Sequence, residues 1–383
     1  MRKMEKGMFK VGQSTYQTIG HNEIKVVIAG GGTGGHLFPG LAVAREISRR
    51  YEKANIVFVI GRRKMESDIL TSSGFRQEMI NVEGLKGRGW KEWIMALLKL
   101  PYCFFQSVSI LNKFSPNLVL GVGGYSAGPV CLAARFMGTP TAIQEQNSFP
   151  GFTNRLLCRI VDRVFISFEE SREYFPAGAL YLTGNPIRGS LLVEENDPKK
   201  AGDKFTILVV GGSQGARAIN KSFVEALGIL QAEGKEPRVV HQVGETDYNR
   251  VKEEYGHQGL EGDIIPFIHD MAGAYNSADI VVSRAGATTI AELAFLGKPS
   301  ILIPYPYSAN RHQELNARML HRVGGAEMIL QKNLDGQGLA DLLMKYMSDR
   351  TALNKMGAMA QGVGRPNAVQ IIVDQLTEMI KRN

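Results

Sequence analysis

The sequence predicts an α/β protein of two Rossmann-like, doubly wound domains. Two observations carry the doubly wound reading. Short apolar runs rich in β-branched residues alternate with helical patterns along the chain, and the strand, glycine loop and helix that open it at residues 24–50 start again at residues 205–215. Alternating β and α elements imply a parallel sheet with helices on both faces. A length of 383 residues suits two domains of about 100–200 residues each.

Taken in order, residues 1–23 mix Lys, Gly, Ser, Thr and Gln, lack the apolar centre of a signal peptide and read as a flexible N-terminal tail. The first strand is IKVVIA at 24–29, followed by a glycine cluster and a helix over 39–50; further strands are expected at 55–60, 117–120, 141–143 and 163–167. These make an N-terminal domain over 24–187. A second domain, 188–366, begins with FTILVV at 205–210 and GGSQG at 211–215. A closer internal correspondence joins LVLGVGG at 118–124, Gly138-Thr-Pro140 and the strand after it to IVVSRAG at 280–286, Gly297-Lys-Pro299 and the strand SILI. Each Gly-x-Pro piece stops a helix and feeds a strand. Between the domains, TGNPIR at 183–188 and the charged EENDPKK at 194–200 form the best linker. A last helix at 367–381, within the segment 367–383, is expected to pack back on the N-terminal domain.

The 45 basic and 37 acidic residues leave a net charge of +8, which suits an anionic partner or none in particular. Cys103, Cys131 and Cys158 form no CxxC pair, which argues against a disulfide framework or structural zinc and for a reducing compartment. Residues 93–111 are apolar but hold Lys99 and Pro101. A membrane span wants about 20 apolar residues with few charges, so no crossing is expected there.

Three glycine-rich loops organise the chemistry. GGGTGGH at 30–36 follows a strand and opens a helix. Glycine admits a close ligand, and a helix N-terminus supplies free N–H groups. The string also matches GxGxxG, and the next strand runs into Arg62 and Arg63 rather than an acid, so an NADP-type site and a purely structural turn both stay open. His36 is either a chance loop histidine or a base poised at an anion-binding loop. In GGSQG, Ser213 can donate to a phosphate. In SRAGATTIAE at 283–292, the N–H groups of Ala287, Thr288 and Thr289 would face a pyrophosphate, and Glu292 is either a solvated or capping glutamate or an acceptor for ribose hydroxyls. There is no GxxxxGK[ST], HExxH or Asp-x-Asp. Without a metal-carboxylate clamp, no metal and no cofactor are expected, and amides and a helix dipole must stabilise the leaving phosphate.

GGGTGGHLFPGLAVA, GVGGYSAGP, QEQNSFPGFTN, GNPIR, GGSQGARAIN, RAGATTIAE and NRHQELNA occur in this order from residue 24 onward. Together they resemble the UDP-N-acetylglucosamine–lipid I N-acetylglucosaminyltransferases, the MurG family. The resemblance implies a GT-B fold and inverting transfer to the 4-hydroxyl of the muramyl sugar of undecaprenyl-linked lipid I, giving lipid II for the cell wall. It implies a peripheral enzyme on the cytoplasmic face of the bacterial inner membrane. By the same resemblance, the backbone at Ile268 holds uracil, Glu292 the ribose, and Ser213 with the amides from Ala287 to Ile290 the pyrophosphate. Ala291, Arg188, Asn147 and Gln313 complete the donor site, the last two nearest the sugar. Thr33, Gly34 and Gly35 touch the donor from across the cleft, while Gly32, His36 and Tyr125 lie on the acceptor side, with the Thr33–His36 loop facing the acceptor pyrophosphate. His36 is the candidate base and Glu145 the second. The chain departs from the family pattern at Gln144, where a His is common, and at His312, where a Gln is common.

A lipid-linked acceptor requires docking on an anionic membrane surface. Trp90, Trp93, Ile94, Leu97 and Leu98 recur at helical spacing among Lys86, Arg88, Lys91 and Lys99, as in an interfacial helix; alternatively, this stripe packs on the sheet. The competing functions are another GT-B enzyme, such as a UDP-sugar:lipid glucosyltransferase or a nucleotide-sugar epimerase, and a basic nucleic-acid-binding module. Glycines rather than basic clusters organise the chain, which points away from nucleic acid.

Overall fold

The computed structural model describes residues 23–31, 34–62, 64–82, 90–189, 191, 204–212 and 215–381. The tail 1–22, Gly32, Thr33, the linker EENDPKK, Ser213 and Gln214 lie outside the described residues.

The first half runs β1 (Ile24–Ala29), α1 (Gly34–Arg50), β2 (Ala54–Ile60), α2 (Lys64–Ser72), β3 (Arg76–Met79), α3 (Trp90–Phe114), β4 (Leu118–Gly121), α4 (Ala127–Phe136), β5 (Thr141–Glu145), α5 (Phe152–Leu157), β6 (Arg163–Ile166) and β7 (Leu180–Leu182). Among the described residues these strands form a seven-stranded sheet ordered β3-β2-β1-β4-β5-β6-β7, with every neighbouring pair parallel. Both faces are covered, as a parallel sheet requires. Along β1, Val26 and Ile28 enter one core with α1, while Val27 and Ala29 enter the other with Leu111, Val130 and Ala134.

The second half runs β8 (Thr206–Val210), α6 (Arg217–Ala232), β9 (Arg238–Gln242), α7 (Tyr248–Gln258), β10 (Asp263–Ile265), α8 (Met271–Ser277), β11 (Ile280–Ser283), α9 (Ala287–Leu296), β12 (Ser300–Leu302), α10 (His312–Arg322), β13 (Glu327–Met328), α11 (Gly336–Ser348), α12 (Arg350–Gly362) and α13 (Ala368–Lys381). Its six described strands order as β10-β9-β8-β11-β12-β13, again parallel.

The final helix returns to the first sheet. α13 buries Val369, Ile372, Val373 and Leu376 in the core that holds α1. Arg50 pairs with Asp374, Tyr51 donates to Thr377 Oγ1 at 3.0 Å, and Arg163 donates to the Gln375 carbonyl at 2.7 Å. Each buried aliphatic side chain contributes about 1.5–3 kcal/mol.

The largest boundary difference from the sequence expectation is at α1. α1 starts at Gly34, five residues before the expected start at 39, so Gly34, Gly35 and His36 form its first turn and Pro39 lies inside it. Proline lacks an N–H, which leaves the Gly35 carbonyl without its helical donor.

No helix of the described residues is long and apolar enough to cross a membrane.

Candidate active site

In doubly wound sheets, ligands bind beyond the carboxyl ends of the strands, where the strand order reverses. The first sheet reverses between β1 and β4, the second between β8 and β11. The glycine loops follow these four strands. In the first domain, Gly31 N–H donates to the Gly123 carbonyl at 3.3 Å, and a Cβ on Gly124 would stand 1.9 Å from the Gly31 oxygen. Gly124 also has φ +80°, so glycine is required there on both counts. In the second domain, Gly212 and Gly215 take positive φ, and Gln242 clamps the loop by accepting from Gly212 N–H at 3.1 Å and donating to its carbonyl at 3.0 Å.

The anion-binding reading of α9 has a geometric basis. Gly286 precedes the helix without a side-chain cap, so the first N–H groups have no helical partner. The Ile290 N–H already donates to the Gly286 carbonyl at 2.9 Å. The unengaged amides therefore stop at Thr289, one residue short of the expected set, because the first helical bond closes there.

Residues from both domains meet at the cleft. Arg188 Nε stands 3.0 Å from Glu292 Oε1, an ion pair outside hydrogen-bonding alignment, and its guanidinium lies 4.4 Å from the Phe38 ring centroid on α1. Glu292 is only 1% exposed and accepts from the Tyr275 hydroxyl at 3.2 Å, so the solvated-glutamate reading is excluded. Burial holds its carboxyl above the ordinary range, against the opposing pull of Arg188 and the Tyr275 hydrogen bond. The Tyr275 hydroxyl is pushed well up by burial and by the neighbouring Glu292. Asn316 on α10 accepts from Ser148 N–H at 3.0 Å and donates to Asn147 Oδ1 at 3.3 Å. Asn185 donates to Thr288 Oγ1 at 3.4 Å.

The base candidates differ sharply. Glu145 is buried, and its carboxylate accepts from the N–H groups of Asn147 (2.9 Å) and Gly151 (3.0 Å) and from Asn154 Nδ2 (2.8 Å). It organises the loop after β5. His36 is half-buried in the first turn of α1, with Nδ1 2.8 Å from Gln146 Oε1. Tyr125 lies partly exposed in the turn after β4.

On the donor side, Ile268 is buried after β10, and Gln313 accepts from Tyr305 N–H at 2.9 Å. Asn310 and Arg311, both at positive φ, turn the chain into α10. His312 Nδ1 is 2.8 Å from the Ala309 carbonyl, so this departure from the family pattern closes its own turn. Among the described residues no group of three or more His, Cys, Asp or Glu side chains could hold a metal ion.

Trp90, Trp93, Ile94 and Leu97 fall in α3, with side chains outside the described ones. Beyond them, α3 and α4 expose Tyr102 (56%), Phe105 (67%) and Phe136 (81%), and the Phe104 and Phe136 rings lie 6.1 Å apart. Sequence reasoning missed this face, together with Gln146, Gln242, Tyr275 and Asn316. Gln146 and Asn316 lay within motifs already singled out, QEQNSFPGFTN and NRHQELNA.

Two family profiles match the chain: the glycosyltransferase family 28 N-terminal domain over residues 26–166, and the corresponding C-terminal domain over residues 206–372. A UDP-N-acetylglucosamine–N-acetylmuramyl-(pentapeptide) pyrophosphoryl-undecaprenol N-acetylglucosamine transferase from Syntrophus aciditrophicus is 47% identical over 94% of this chain and 99% of its own. The protein of the same name from Myxococcus xanthus is 45% identical over 93% of each chain. The crystal structure of Acinetobacter baumannii MurG superimposes with a TM-score of 0.75 at 31% identity, covering 93% of this chain and 99% of that one. A Listeria monocytogenes structure described as a putative UDP-N-acetylglucosamine 2-epimerase has a TM-score of 0.68 at 15% identity, covering 94% of this chain and 98% of that one, and shares the fold alone. With identity this high over nearly the whole length, the chain belongs to the MurG family of UDP-N-acetylglucosamine–N-acetylmuramyl-(pentapeptide) pyrophosphoryl-undecaprenol N-acetylglucosamine transferases.

Proposed function

We propose that this glycosyltransferase moves N-acetylglucosamine from UDP-N-acetylglucosamine to the 4-hydroxyl of the muramyl sugar of lipid I, with inversion, while docked on an anionic membrane. The single observation that carries the reaction is the near-full-length identity to transferases of that name. The meeting of both switch-point crevices at one cleft supports it. The acceptor oxygen bonds to the anomeric carbon as the bond from that carbon to the β-phosphate oxygen breaks on the opposite face. His36 takes the hydroxyl proton, and UDP departs toward the N-terminus of α9. Amides already fixed by a helix need little reorganisation as charge develops on the leaving group, which is where such donors act best. Glu145 serves as loop organiser rather than base, because its oxygens already accept from three residues.

The exposed Tyr102 and Phe105 continue the helix that begins with the two tryptophans, and the exposed Phe136 ends α4 beside Phe104, preceded by Arg135. Aromatic side chains beside cations favour a headgroup layer. The test of function is transfer of radiolabelled N-acetylglucosamine to lipid I, with UDP-glucose and UDP-N-acetylgalactosamine as controls. Equal use of the three donors, or turnover of UDP-N-acetylglucosamine without any acceptor, would refute this reading.

A further inference from the structure

The side chain facing His36 is itself held in a hydrogen-bond chain whose direction can be read. The chain begins at Ser167, whose hydroxyl donates to the Glu145 carbonyl at 2.8 Å. With its proton committed, Ser167 Oγ can only accept from Gln144 Nε2, 3.1 Å away. That puts the Gln144 amide oxygen at the other end, where it accepts from Gln146 Nε2. Gln146 Nε2 also donates to the Val122 carbonyl at 2.8 Å, and a carbonyl can only accept. Both anchors therefore agree on the orientation of the Gln146 amide. Its Oε1 is the atom that faces His36 Nδ1 at 2.8 Å. An amide oxygen has no proton to give, so His36 Nδ1 must carry one.

We propose that Gln146 is a positioning residue that holds His36 as its Nδ1–H tautomer and so leaves the Nε2 lone pair as the basic site. A free imidazole side chain prefers the opposite tautomer, with the proton on Nε2, which could not accept a proton there. Gln146 is 1% exposed and Gln144 fully buried, so water does not compete for these bonds. Gly123 completes the arrangement, since a Cβ there would stand 2.8 Å from His36 Nδ1 and displace the ring. The chain also reaches the donor side. Gln144 Nε2 lies 3.3 Å from Asn185 Oδ1, and Asn185 Nδ2 donates to Thr288 Oγ1 in the first turn of α9. The glutamine at 144, a departure from the family pattern, thus reinforces the sense that the Val122 carbonyl also sets. This inference rests on the reading of His36 as the base.

The tautomer can be observed without any activity assay. In full-length protein labelled with 15N-histidine, at alkaline pH where an ordinary imidazole is neutral, the His36 resonances are identified by their loss in His36→Ala. They are expected to show a protonated Nδ1 and an unprotonated Nε2. In Gln146→Leu the His36 pattern should shift toward Nε2–H. The kcat of that variant should fall about tenfold or more, with KM for UDP-N-acetylglucosamine within about twofold, because a misdirected base loses part of a general-base contribution of about 10²–10⁴. The double variant His36→Ala with Gln146→Leu should be no slower than His36→Ala alone. A protonated Nε2 in the unmodified protein overturns the proposal, and so does a loss from Gln146→Leu that multiplies with that of His36→Ala. Normal turnover by His36→Ala would instead overturn the base reading, and the tautomer assignment would then be decided by the spectrum.

Discussion

Replacing Glu292 separates the proposed ribose-binding role from a structural one, because the structure places it in a buried network with Tyr275 and Arg188. In Glu292→Ala, the Arg188 guanidinium loses the carboxylate 3.0 Å away, and the Tyr275 hydroxyl, 1% exposed, loses its acceptor. A stranded buried hydroxyl costs about 1–3 kcal/mol, and breaking a buried ion pair costs about 3–5 kcal/mol in all. These overlap, so a total of about 3–5 kcal/mol is expected. At about 2–4 °C per kcal/mol for a domain of this size, Tm should fall by roughly 6–20 °C. Glu292→Gln keeps an oxygen for Tyr275 and fills the space, so its Tm should fall much less. If the carboxylate also accepts ribose hydroxyls, the alanine variant loses about 1.5–3 kcal/mol of charged hydrogen bonding, or roughly 10–150-fold in the Kd of UDP. The glutamine variant should lose roughly tenfold on the same scale. Thermal melting and calorimetric titration with UDP, both at neutral pH, read the two quantities separately. An alanine variant that melts like the unmodified protein would refute the network argument. A glutamine variant that binds UDP within twofold of the unmodified protein would refute the ribose role and leave Glu292 a purely structural residue.

Three further outcomes are expected. UDP should bind in excess chelator as it does with magnesium, because amides at α9 supply the anion site; loss of binding that magnesium restores would contradict this. Phe105→Ser with Phe136→Ser should sediment less with anionic liposomes while its melting temperature holds, and binding by the unmodified protein should weaken as salt rises; unchanged sedimentation at every salt concentration would move the membrane site elsewhere. Burial holds His241 at about 3, whereas an unfolded histidine titrates near about 6.5. The unfolded chain thus binds the extra proton, and the stability due to His241 is complete above about pH 6.5 and lost toward pH 3 at about 1.4 kcal/mol per unit. Between pH 7.5 and pH 5 the unmodified protein should lose about 2 kcal/mol more than His241→Gln, measured by melting; a pH-independent gap between the two would exclude a neutral buried imidazole.

What the sequence determined by itself is local. Strand β1 occupies the residues the sequence assigned to it, because runs of β-branched residues bounded by glycine depend only on their neighbours. The uncapped N-terminus of α9 was legible for the same reason: Gly286 and the small residues after it set the backbone there. The start of α1 was not, since Pro39 read as a boundary while glycines ahead of it were drawn into the helix. Tertiary structure alone decided which polar groups those loops meet. Glu145 and Glu292 look alike in sequence, each a glutamate within a motif, yet one is spent on the turn at Asn147, Gly151 and Asn154, and the other is locked between Tyr275 and Arg188. Gln242 carries no signature at all, and Gln146 lies in a motif that gives it no role of its own; both matter because the fold delivers a backbone carbonyl and a loop to their amides. Backbone preference is a property of consecutive residues, whereas burial and hydrogen-bond direction belong to pairs that the chain brings together only after it has folded.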